Sequence, residues 1–73
     1  MYRKVRVLNA SIPEIIGEIA EVIADGNDGT YLLGFPKDSG LGWVDSSIPN
    51  YSCWYTLKEN VEFIGTVTNS KFK

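Results

Sequence analysis

Three β-prone segments in the middle of the chain, the first two punctuated by glycine, restrict what it can fold into. They are residues 29–36 (GTYLLGFP), 40–44 (GLGWV) and 51–57 (YSCWYTL), and they crowd Tyr31, Phe35, Trp43, Tyr51, Trp54 and Tyr55 into one stretch. Aromatic and β-branched residues favour extended backbone, while closely spaced glycines let that backbone bend sharply. A small, strongly curved β-barrel satisfies both demands, with bulky rings filling a tiny core or lining one face. Size sharpens the point. A single domain of 73 residues buries only roughly 60–65% of the surface its unfolded chain exposes. Valine and isoleucine cannot fill its centre alone, so at least three of Tyr31, Phe35, Trp43, Tyr51, Trp54, Tyr55 and Phe63 are expected in the core.

The flanks fit this frame. Residues 4–9 (KVRVLN) alternate charge with β-branched side chains, which points Val5 and Val7 inward on a first strand. Residues 25–29 (DGNDG) are a dense turn cluster suited to a hairpin loop, and Thr30 to Phe35 follow as a strand in which Gly34 marks a bulge or a close backbone approach. Residues 36–50 read as a long excursion around Trp43, and residues 52–57 as a strand. Residues 58–61 (KENV) read as one helical turn leading into a short closing strand over residues 62–64. The expected domain therefore spans residues 1–65, with a polar, fraying tail over residues 66–73.

Residues 11–26 (SIPEIIGEIAEVIADG) admit two readings. As a helix, Ser11 and Glu14 form a capping box, the isoleucines recur at helical spacing and Gly26 closes the C-terminus. Against it, Pro13 and Gly17 lie inside the window, Gly17 costs about 1 kcal/mol relative to alanine in mid-helix, and the surface is unusually β-branched. The alternative is a loop with a helical turn over residues 11–16, a bend at Gly17 and a strand over residues 18–24.

From Val5 to Ile64 the chain resembles the small SH3-like barrels of bacterial and bacteriophage proteins, which are distantly similar to KOW-type and Mib/HERC2-type barrels. The matching positions are Val5 and Val7, then Gly17, Ala20 and Val22, then Tyr31 to Phe35, then Trp54 and Tyr55 with the exit KENVEFI. The resemblance implies a mainly β fold: a five-stranded antiparallel barrel with a short helical turn before the last strand. It tips residues 11–26 toward loop plus strand. It implies a small binding protein of phage or mobile-element type. KOW motifs carry glycine where Ala20 stands, so no ribosomal or RNA role transfers.

Chemistry narrows the field. The chain has no histidine and one cysteine, Cys53. That removes imidazole bases, catalytic triads and the usual zinc sets, and it leaves no internal disulfide, which suits a reducing cytoplasm. Cys53 has no neighbouring cation to activate it and reads as a core thiol. DGNDG lacks calcium-loop spacing, and no Lys-Ser/Thr follows the glycines from Gly26 to Gly42, so no phosphate cradle is expected. Glu14, Glu18 and Glu21 read as a solvated acidic face. No apolar run approaches the ~18 residues of a membrane span, and no leader pattern follows the basic first residues. Neither catalysis nor a cofactor is expected.

What remains is recognition. Trp43, in a glycine- and serine-flanked loop, is either a lid on the barrel mouth or, with Tyr51 and Tyr55, an anchor for a protein partner, since Trp and Tyr dominate interface hot spots. Trp54 and Tyr55 point to opposite faces of their strand, one toward the core. The acidic stretch from Glu14 to Asp28 suits a basic partner. A nucleic-acid role would place Arg3, Lys4 and Arg6 on a phosphate backbone with bases stacked on exposed rings, but the net charge of −2 opposes it. Pairing of free sheet edges into a homo-oligomer is the third expectation.

Overall fold

A computed structural model describes residues 2–48 and 50–68. Six antiparallel strands form one sheet: β1 (Tyr2–Val7), β2 (Ile19–Asp25), β3 (Thr30–Pro36), β4 (Trp43–Val44), β5 (Tyr51–Leu57) and β6 (Val61–Val67), in the order β4-β5-β3-β2-β1-β6. Among the described residues, helical structure is confined to 3₁₀ turns at Pro13–Ile15 and Lys58–Asn60, the second leading into β6 as the sequence predicts. The expected strand count of five is corrected to six, because the excursion around Trp43 contributes β4. Nor is closure into a barrel seen, since β4 and β6 are the sheet's two edges.

Residues 11–26 resolve as loop plus strand. Pro13 opens the 3₁₀ turn, whose N-cap is Ile12 and carries no side-chain cap hydrogen bond, so the expected capping box does not form. Gly17 then takes φ 86°, a conformation open to glycine but strained for other residues. Its N–H donates to Val7 O at 2.8 Å, while Val7 N–H donates to Glu18 O at 3.0 Å, so the loop closes at its root and hands the chain to β2. The loop's Ile15 is fully buried among Val5, Val7, Ala20, Val22, Leu33 and Phe35. A single sheet thus gains a core on its inner face by curling around a loop side chain.

The DGNDG cluster makes the β2–β3 hairpin, with Gly26 N–H on Thr30 O at 2.9 Å. The register shift lies at Ile23 in β2, between the Val22–Leu33 and Ala24–Leu32 pairs. Gly34, across the ladder, is instead a close approach: a Cβ there would fall 2.6 Å from Ile23 Cδ1 and against the Tyr51 ring. Leu32, Tyr51 and Cys53 form a smaller outer cluster, with Ile23 and Ile48 against it. β6 runs past the expected end at Ile64, because Tyr2 and Arg3 still offer backbone partners to Val67 and Thr66. Of the expected tail, residues 69–73 lie outside the described residues.

Candidate aromatic site

Alternation along β5 sends Trp54 to the inner face and Tyr55 to the outer one. Trp54 is half-buried against the main core, and its indole Nε1–H donates to Ser11 Oγ at 3.1 Å. Ser11, expected to cap a helix, is thus used to orient an indole across the mouth of the β1–β2 loop. Tyr55 is 60% exposed.

β4 pairs with β5 only at Trp43–Cys53 and Val44–Ser52. Two devices hold this short strand. Ser52 Oγ donates to Leu41 O, and its 3.4 Å contact to Trp43 O ties the same loop. Gly42, at φ 71°, lies so close to the Cys53 carbonyl that no side chain fits between them. The Trp43 ring then spreads over the uncovered end of β5. It meets Trp54 edge-on at 5.7 Å between centroids and Tyr55 at 5.8 Å with a 32° tilt. Both spacings fall within the favourable range for ring pairs. Trp43 keeps 36% of its surface exposed and Val44 59%. Beside the rings a groove of about 250 Å³ runs between the two long loops, lined by Ile12, Glu14, Gly40, Gly42 and Trp54.

Of the expected anchor residues, the structure brings Trp43 and Tyr55 together and removes Tyr51. Tyr51 is 5% exposed, packs on Gly34, and donates its hydroxyl to the buried Glu21 carboxylate at 2.8 Å. It is a core residue. Glu21 therefore leaves the expected acidic face, and Asp25 is occupied by Arg3 and Lys58. Glu14 and Glu18 remain exposed.

The expected nucleic-acid cations do not form a stripe. Arg3 lies in the inner row with Val5 and Val7, whereas Lys4 and Arg6 lie in the outer row; Arg3 pairs with Asp25 at 3.4 Å and Arg6 with Glu62 at 3.5 Å. Cys53 is fully buried, and burial, with the Asp45 charge, pushes its thiol pKa up, away from nucleophilic chemistry. The sequence suggests an aromatic groove between residues 36–50 and the neighbouring strands, but not the wall that Ile12 and Glu14 supply, because those residues read there as parts of a helix start. Compared with family models, curated proteins and solved structures, the chain matches none.

Proposed function

We propose that the protein is a small non-catalytic binding module whose partner is a protein, held by the Trp43–Tyr55 ridge and the groove beside Trp54. The observation that carries this reading is the ring cluster. Large aromatic side chains left partly in solvent beside a two-residue strand do little for the core, yet Gly42 and Ser52 fix the backbone that presents Trp43. Rigid, partly exposed Trp and Tyr make effective interface anchors, since little side-chain entropy remains to be lost on binding. Glu14 on the groove wall suits a partner carrying a basic residue near its apolar contact.

The strand order β6-β1-β2-β3-β5, with a long loop between β1 and β2 and a 3₁₀ turn before β6, supports assignment to the SH3-like barrels. Edge pairing between copies is disfavoured. β4 offers two residues, and the β6 edge is broken at Ile64, between the Lys4–Gly65 and Val5–Phe63 pairs, a device that blunts exposed edges.

The test is capture of a protein partner from lysate by wild type, by Trp43→Ala/Tyr55→Ala and by Arg3→Gln/Arg6→Gln. Loss of about 10-fold or more in the aromatic variant alone is expected, the usual size of a hot-spot deletion. Equal capture by all three sinks the ridge. Salt-sensitive quenching of the tryptophans by single-stranded nucleic acid would favour the nucleic-acid reading instead.

A further inference from the structure

A second concave site lies at the end of the inner face remote from the aromatic ridge. β1 alternates Arg3 and Val5 onto this face, β3 contributes Tyr31, the 3₁₀ turn brings Lys58, and β6 lays Phe63 opposite Val5. Together with Val22 and Val61 these residues line a cavity of about 240 Å³. Phe63 occupies a core-facing position, yet it is 64% exposed because no described element covers this end of the sheet.

The charged rim is one-sided. Arg3 Cζ and Lys58 Nζ lie 5.0 and 5.2 Å from the Tyr31 ring centroid, and an Arg3 nitrogen reaches the Tyr31 hydroxyl at 3.3 Å. Both cations share a single carboxylate, Asp25, which is not part of the lining. The nearby Asp28 accepts the N–H and hydroxyl of Thr30, and its charge also acts on Lys58. The charged groups that line the cavity are thus both cations, while the carboxylates that offset them, Asp25 and Asp28, stand outside the lining. The ring and Asp25 also hold the two cations in place before any ligand arrives, which lowers the ordering cost of binding.

We propose that this cavity is a ligand site for a small monoanionic aryl carboxylate, its ring against Val5, Val22 and Phe63 and its carboxylate on Arg3 and Lys58. Volume supports one ring with a short acidic arm, since an apolar cavity of ~150 Å³ already takes benzene. The cationic lining supports an anion; Arg3, with donors beyond those on Asp25 and Tyr31, suits the flat fork of a carboxylate. Inorganic phosphate lacks the apolar body that the floor requires.

The experiment is a ¹H–¹⁵N NMR titration of the full chain with phenylacetate at low ionic strength. Saturable shifts at Arg3, Val5, Tyr31 and Phe63 are expected, with a dissociation constant on the order of millimolar for so small a ligand. Acetate, phosphate and 2-phenylethylammonium should each bind at least about 10-fold more weakly, because each lacks either the ring or the charge-assisted hydrogen bonds. Arg3→Gln and Phe63→Ala should each weaken phenylacetate by about 5- to 10-fold, and Trp43→Ala should leave it unchanged, which keeps this site separable from the ridge. Arg3 and Phe63 are exposed enough that neither variant should unfold the chain. Absence of saturation, equal binding of 2-phenylethylammonium, shifts centred on Trp43 and Tyr55, or wild-type affinity in both variants overturns the assignment.

Discussion

Tyr51 and Tyr55 leave the same face of β5, yet Tyr51 is 5% exposed and Tyr55 60%. The difference lies in what stands beside each ring. At Tyr51 the neighbouring strand offers Gly34, whose missing Cβ lets the ring lie down, while Ile23, Cys53 and Ile48 close around it and Glu21 accepts its hydroxyl. At Tyr55 the cross-strand partner is Leu32, and on the other side β4 has already ended, leaving only the Trp43 ring. The two ends of one strand thus divide the work. One residue secures the sheet, and the other is available to a partner.

The most severe test of that division is truncation of each ring. Tyr51→Ala should cost about 3–5 kcal/mol, as large-to-small changes of a buried aromatic do. A domain of this size has only about 4–11 kcal/mol in total, so this variant should be close to unfolded at ambient temperature. Tyr51→Phe should cost about 1–3 kcal/mol, because it takes a donor from a buried carboxylate without leaving a cavity. Tyr55→Ala should cost about 1 kcal/mol or less, the worth of its ring pair with Trp43. Urea unfolding of the three variants measures all of this, and similar losses for Tyr51→Ala and Tyr55→Ala would end the comparison.

Nothing local in the sequence separates these two tyrosines. The hairpin at residues 25–29, the inward Val5 and Val7, and the helical turn before the last strand were legible, because each rests on turn chemistry or alternation within a few residues. Gly34 was legible as an anomaly, but its reason lies across the ladder in Ile23 and Tyr51. Ser11 and Glu14 fit a capping box locally, and only the fold reveals that Ser11 answers the Trp54 indole. β4 showed only as β-prone sequence within residues 40–44, not as a paired strand: two residues carry no periodicity, and the strand exists because Ser52 and the Cys53 backbone receive it. The ridge inherits that obscurity, since its rings meet only through β4.

A smaller effect probes how the exposed end is attached. Gly40 and Gly42 both have positive φ, 76° and 71°, but a Cβ at Gly40 meets nothing within 4 Å, whereas one at Gly42 runs into the Cys53 carbonyl. Gly40→Ala should therefore cost about 1–2 kcal/mol from left-handed backbone alone. Gly42→Ala carries the same strain plus a backbone collision that is relieved only by lifting β4. Altered tryptophan fluorescence in Gly42→Ala, with Tyr51 resonances unmoved, is the expected signature. Tyr51 shifting together with Trp43 would mean that the two ends are one cooperative unit.

The smallest effect comes from pH, through the turn that joins the two ends. Asp45 follows β4, and its carboxylate accepts the Ser47 N–H at 2.9 Å and the Ser47 hydroxyl at 2.8 Å, while its carbonyl accepts Ile48 N–H at 3.0 Å. Those bonds from Ser47, backbone first and hydroxyl second, hold the Asp45 carboxyl below its ordinary value of 3.8. The unfolded chain therefore takes up this proton more readily than the folded one. The turn's contribution is complete above pH 3.8 and declines as the pH falls through the lower folded-state value. In an acid titration from about pH 5 to pH 2, wild type should show a small change in Trp43 packing that Asp45→Ala lacks, because the variant has already lost the bonds. Since the same turn delivers Ile48 to the Tyr51 cluster, the titration also asks whether the buried end depends on the exposed one. Tyr51 resonances that hold steady while Trp43 changes would show that Gly34, Ile23 and Cys53 suffice to bury it; a joint change would assign Ile48 a necessary share of that cover.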